Sequence, residues 1–143
     1  MTISERLERL RDHLPWRRER HVHIDHQHHA IGPPEGRTVR TPRVSIYESE
    51  TELLVCADVP GTTIDGTEVH IDQHLLEISA RTAPPAGKRA LMHELGEGAW
   101  YRRFLLPERV IGEDCDATLD NGVLTIRLRK QGHVGGRQIR INQ

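Results

Sequence analysis

The chain has 143 residues, 29% of them charged, and a formal net charge of −1. That length suits one domain with short appendages, and near-neutrality gives no electrostatic case for nucleic acid. No apolar run approaches the ~18 residues of a membrane span, and charges stand at the N-terminus where a signal peptide needs an apolar stretch. A soluble cytoplasmic protein, with no membrane partner, is the expectation.

Residues 2–14 read as a short helix, because Ile3, Leu7, Leu10 and Leu14 fall on one face. Thr2 and Glu5 fit a capping box, and Pro15 ends the helix. A helix this short needs a partner surface to persist, so these residues and the following Trp16 are candidates for assembly or docking.

Residues 15–42 show little periodicity and read as a mobile linker. Within it stand His21, His23, His26, His28 and His29, with Asp25 among them. Imidazoles at this density are weak candidates for binding zinc, copper or nickel, or for sensing pH. No cysteine accompanies them, and a solvated tract fits the composition better than a structural metal site.

From Thr41 onward the pattern is alternation. Val44 and Ile46 are two apart, as are Leu53, Val55, Ala57 and Val59, a run that ends at Pro60-Gly61. Val69 and Ile71 alternate with Glu68, His70 and Asp72; Leu76, Ile78 and Ala80 alternate with Glu77 and Ser79. Trp100, Arg102, Phe104 and Leu106 share a face; Ala117 and Leu119 precede Asn121-Gly122, and Leu124, Ile126 and Leu128 follow it. Short strands with turn signals between them predict an all-β sandwich or barrel. Asn121-Gly122 is the strongest hairpin signal. With two Trp, two Tyr and one Phe in the whole chain, the core has to be aliphatic.

The chain ends in a glycine-rich spacer, Gly132, Gly135 and Gly136, followed by Arg137-Gln138-Ile139-Arg140-Ile141. On a strand the two isoleucines point the same way, which suits a tethered edge strand added to another surface. Three segments result: an arm over 1–42, a β domain over 43–130 and an extension over 131–143. The arm carries eight Arg against six acids, and the domain ten basic against fifteen acidic residues. Cys56 and Cys115 lie far apart, without a CxxC pair, and are expected as thiols in a reducing compartment. No GxSxG, HExxH, P-loop or glycine-rich nucleotide fingerprint is present, so neither catalysis nor a cofactor is expected.

The span from Pro42 to Lys130 resembles the α-crystallin domain of small heat-shock proteins. The residues that carry this are Asp58-Val59-Pro60-Gly61, Leu76-Glu77-Ile78-Ser79-Ala80-Arg81, Trp100 to Pro107, and Ala117-Thr118-Leu119-Asp120-Asn121-Gly122-Val123-Leu124, with Ile139-Arg140-Ile141 as the I-x-I tail. Ala80 stands where the family usually has Gly, and the arm lacks the Phe residues common in the family. The resemblance implies an immunoglobulin-like β-sandwich and an ATP-independent holding chaperone. Such a protein forms homo-oligomers built from dimers and binds partly unfolded clients. The stretch from Pro84 to Gly98 looks like the bacterial and plant type, in which this loop is exchanged between subunits. That implies a dimer interface at Leu91, Met92 and Glu94, with Arg102 making a charge contact across it. Parity places a groove for the I-x-I tail between Val69 and Ile71 on one side and Ala117 and Leu119 on the other. The competing reading is a monomeric or dimeric co-chaperone or adaptor on the same sandwich, with a metal- or pH-responsive His-rich arm.

Overall fold

The computed structural model describes residues 21–22, 24–25, 31–72, 74–94, 96–106 and 110–132. All regular structure among them is strand. In chain order the strands are His21–Val22 (β1), Ile24–Asp25 (β2), Val39–Arg40 (β3), Val44–Glu48 (β4), Glu52–Asp58 (β5), Thr62–Asp72 (β6), Leu75–Thr82 (β7), Ala99–Leu105 (β8), Val110–Asp120 (β9) and Val123–Lys130 (β10). They form two five-stranded sheets, one in the order β1-β9-β10-β5-β4 and the other β2-β6-β7-β8-β3.

The alternating runs supply the core. Leu53, Val55 and Ala57 of β5, Leu76, Ile78 and Ala80 of β7, and Leu124, Ile126 and Leu128 of β10 are fully buried in one aliphatic cluster between the sheets. Period-two spacing puts each set on one face, and facing two such sheets removes both sets from water. Trp100 and Phe104 pack on the margin of this cluster.

The turns follow their residues. β9 and β10 are joined through Asn121 and Gly122, with Asp120 opposite Val123. Both turn residues have positive φ, 46° and 76°, as a two-residue primed turn requires. Gly61 turns the chain after Pro60 at φ 80°, and Trp100 Nε1 donates to the Pro60 carbonyl across the sheets.

Two features depart from the sequence reading. The stretch 15–42, expected to lack elements, contributes β1, β2 and β3 to the sheets. Part of the polar face of β6 and β7 is also buried: His70, Glu77 and Ser79 are enclosed, while Glu68 and Arg81 stay exposed. A central strand has neighbours on both sides, and here chain from the arm also lies against the outer face, where the Ile31 N–H donates to Glu77. The helix expected over 2–14, Trp16 and the tail with Ile139 and Ile141 lie outside the described residues.

Candidate functional site

The site begins at two strand edges. Without β1, β9 would be the edge of its sheet; without β2, β6 would be the edge of the other. Val69 and Ile71 project inward from β6, and Ala117 and Leu119 from β9, all four buried in the same cluster. The structure therefore brings together the four residues that parity assigned to a groove.

These four side chains are covered from within the chain. Val22 sits opposite Ala117 in an antiparallel pairing. Two residues on, Ile24 sits opposite Val69 in a parallel pairing. The stretch 21–25 thus adds to one sheet and then to the other, closing the mouth of the sandwich. Val22 and Ile24 are 5% and 9% exposed and belong to the core cluster. Burying them contributes about 3–6 kcal/mol, while fixing the backbone of five residues costs about 5–10 kcal/mol. Ladder hydrogen bonds add about 0.5–1.5 kcal/mol each. The opposing terms are of similar size.

Beyond the plug the arm is fastened again. Glu77 is fully buried; its Oε2 accepts from the Ile31 N–H at 3.1 Å and its Oε1 from the Tyr101 hydroxyl at 2.7 Å. The Arg103 guanidinium stands 3.9 Å from the same Oε1. A carboxylate enclosed this way needs these partners to offset desolvation. The Tyr101 hydroxyl is pushed up to about 12, first by burial, then by its hydrogen bond to Glu77 and by that carboxylate's charge, with Arg103 pulling the other way. His70, paired with Glu77 across β6 and β7, is buried with no partner for Nδ1 among the described residues.

The other candidate surface is the connection from β7 to β8. Residues 83–98 leave and return at a tight base. Thr82 N–H donates to the Gly98 carbonyl, and Gly98 N–H to Thr82 Oγ1. Parallel to the start of β8 runs β3, and the Ala99 N–H donates to the Thr38 carbonyl at 2.9 Å. A Cβ on Gly98 would stand 2.3 Å from that same carbonyl oxygen, so only glycine fits. Beyond this base the loop is open: Leu91 is 86% exposed, Met92 80%, and Glu94 is exposed beside them.

Arg102, on β8, is held from within its own chain. Its Nη1 donates to the carbonyl of the buried Pro42 at 3.1 Å, and the guanidinium lies 5.7 Å from the Phe104 ring centroid. Cys56 and Cys115 are unpaired thiols. Burial pushes both up, with nearby aspartates adding to it: Asp58 for Cys56, Asp116 and Asp114 for Cys115. Among the described residues no group of three or more His, Cys, Asp or Glu is placed to hold a metal. His23, His26, His28 and His29 lie outside those residues. Of the arm residues singled out in the sequence, Ile3, Leu7, Leu10, Leu14 and Trp16 lie outside them too.

Sequence reasoning missed Val22, Ile24 and the Glu77–Tyr101 pair. The signal for the first two was present: they are spaced like Ile139 and Ile141. Glu77 gave none, because a glutamate alternating with apolar residues reads as solvated.

A two-sheet aliphatic sandwich with apolar strand edges and an open connecting loop is the architecture of an α-crystallin domain. The Hsp20/alpha crystallin family model matches residues 45–142. The chain belongs to that family of small heat shock proteins, whose role is that of a chaperone in the stress response. Among curated relatives, the probable 15 kDa heat shock protein of Leptospira interrogans is 29% identical over 113 residues, covering 76% of this chain and 87% of the relative. Spore protein SP21 of Stigmatella aurantiaca is 30% identical over 113 residues, covering 77% of this chain and 64% of the relative. Among solved structures, a small heat-shock protein from Xylella fastidiosa aligns at a TM-score of 0.57 and 27% identity, covering 73% of this chain and 98% of that one. The hspA protein of Xanthomonas axonopodis aligns at 0.55 and 31%, covering 67% and 97%.

Proposed function

We infer that the chain is an ATP-independent holding chaperone of the cytoplasm, which binds partly unfolded proteins and keeps them from aggregating. It assembles from dimers into larger homo-oligomers. In the dimer the loop from Pro84 to Gly98 is exchanged, so that Leu91 and Met92 are covered by the partner and Arg102 meets the partner subunit's Glu94. The Pro42 carbonyl takes one of the five guanidinium donors, which is compatible with that second contact. Between dimers, Ile139 and Ile141 of one tail enter the groove of Val69, Ile71, Ala117 and Leu119 on another subunit.

The observation that carries this reading is that Val69 and Ile71 of β6 and Ala117 and Leu119 of β9 lie together at two strand edges whose outer neighbours are the two-residue strands β1 and β2. A holdase needs apolar surface of that kind, covered at rest and released on demand. The unpaired thiols of Cys56 and Cys115 suit a reducing compartment.

The test is light scattering on the purified chain from cool to heat-shock temperatures, together with suppression of a heat-labile enzyme's aggregation without ATP. A multi-subunit particle that suppresses aggregation is expected, and Ile139→Ala with Ile141→Ala is expected to shrink it. A particle of 16.4 kDa at every temperature, without suppression, would overturn the assignment in favour of a monomeric adaptor.

A further inference from the structure

Both ends of this chain carry two β-branched apolar residues separated by one position: Val22-His23-Ile24 in the arm and Ile139-Arg140-Ile141 in the tail. In a strand such a pair projects to one side. Among the described residues the arm's pair lies where the outer edges of β9 and β6 meet, one residue on each ladder. We propose that Val22 and Ile24 plug the β6–β9 groove of their own subunit, as an alternative occupant to the Ile139-x-Ile141 tail of a second copy. This rests on the reading that the tail docks in that groove.

The geometry makes the two occupants exclusive. Val22 takes the ladder position opposite Ala117 and Ile24 the one opposite Val69. These are two of the four side chains that a tail needs. Each strand edge offers one row of backbone donors and acceptors, so a tail cannot pair with β9 or β6 while β1 or β2 is there. Ile31, anchored to the buried Glu77, keeps the arm close to the groove after it lets go.

The plug acts within one chain and the tail between chains. Plugging is therefore independent of concentration, whereas tail docking grows with it. The arm lowers the apparent affinity for the tail by the fraction of time the groove stands open. Dilution should favour plugged subunits, and loosening the arm should favour assembly.

The test uses the full chain with its own tail disabled by Ile139→Ser and Ile141→Ser, and a fluorescent peptide spanning residues 136–143 as probe. Anisotropy is read with the arm intact and with Val22→Ser and Ile24→Ser added. At least about tenfold tighter binding is expected once the arm's pair is removed, corresponding to a groove open less than about a tenth of the time. Equal, measurable binding to both proteins would overturn the plug while leaving tail docking in place. Binding to neither would overturn tail docking itself, and the competition with it.

A second measurement holds even if the serine variants fold poorly. Residues 22 and 117 are directly opposed across an antiparallel ladder, at a separation a disulfide can span. Val22→Cys and Ala117→Cys are introduced with Cys56→Ser, Cys115→Ser and the disabled tail. The oxidised protein should not bind the peptide, and reduction should restore binding in the same sample. Equal binding before and after reduction, with the disulfide verified by mass, would overturn the proposal.

Discussion

At the scale of single residues, Glu77 and Tyr101 show how one buried charge organises its surroundings. The carboxylate accepts from Tyr101 and from the arm at Ile31, and the phenol answers with a raised pKa. Because the folded value of about 12 lies above the ordinary 10.0, the phenol contributes stability that is fully present below pH 10 and lost as pH rises towards 12. The chain has two tyrosines, so an absorbance titration should show one phenol ionising only near pH 12, and Tyr101→Phe should delete that late step. Glu77→Gln should bring the step down without abolishing the shift, because burial, its first cause, remains. A late step unchanged in the Gln variant would mean that the hydrogen bond and charge of Glu77 do not act on Tyr101.

At the scale of elements, Gly98 and β3 set how the long loop is mounted. The Thr38 carbonyl approaches so closely that an added Cβ would lie 2.3 Å away, against backbone that cannot swing aside as a flexible side chain would. Gly98→Ala should destabilise the domain by about 1–3 kcal/mol through overpacking, read as a lower urea midpoint at unchanged slope. A midpoint equal to that of the parent would show that β3 yields freely. The same elements divide what sequence could reveal from what it could not. β5 and β10 were legible because Leu53, Val55 and Ala57 on the one, and Leu124, Ile126 and Leu128 on the other, recur at period two and so share a face. The hairpin was legible because Asn121-Gly122 is a turn in its own right. β7 was half legible: Leu76, Ile78 and Ala80 were read as core, but the burial of Glu77 and Ser79 was not, and one of the partners of Glu77 is the N–H of Ile31, 46 residues away. β1 and β2 were not read, although Val22 and Ile24 share the spacing of Ile139 and Ile141, because a single apolar pair sets no period and the surrounding histidines suggested solvent. That Val69, Ile71, Ala117 and Leu119 share one buried cluster could be read from parity; what covers them could not.

At the scale of the whole molecule, the two most exposed large apolar side chains among the described residues stand on the connection from β7 to β8, with Leu105 of β8 next. Leu91 and Met92 are 86% and 80% exposed, and neither supports the core of its own subunit. Each buried fully against a second copy would contribute about 1.5–3 kcal/mol before ordering costs, enough for the pair to decide whether a dimer persists at micromolar concentration. The loop base, closed by Thr82 and Gly98, fixes where the loop starts without fixing where its tip goes. Leu91→Ser with Met92→Ser should therefore lower the mass of the assembly by a dimerisation step, read by sedimentation. Because both side chains project into solvent in the isolated fold, the variant should keep the parent's β-sheet circular dichroism. Loss of mass with the fold kept would place the exchanged loop at the dimer contact. Parental mass would mean that dimers form through another surface. Loss of mass together with loss of the β signal would instead make Leu91 and Met92 part of what holds each subunit together.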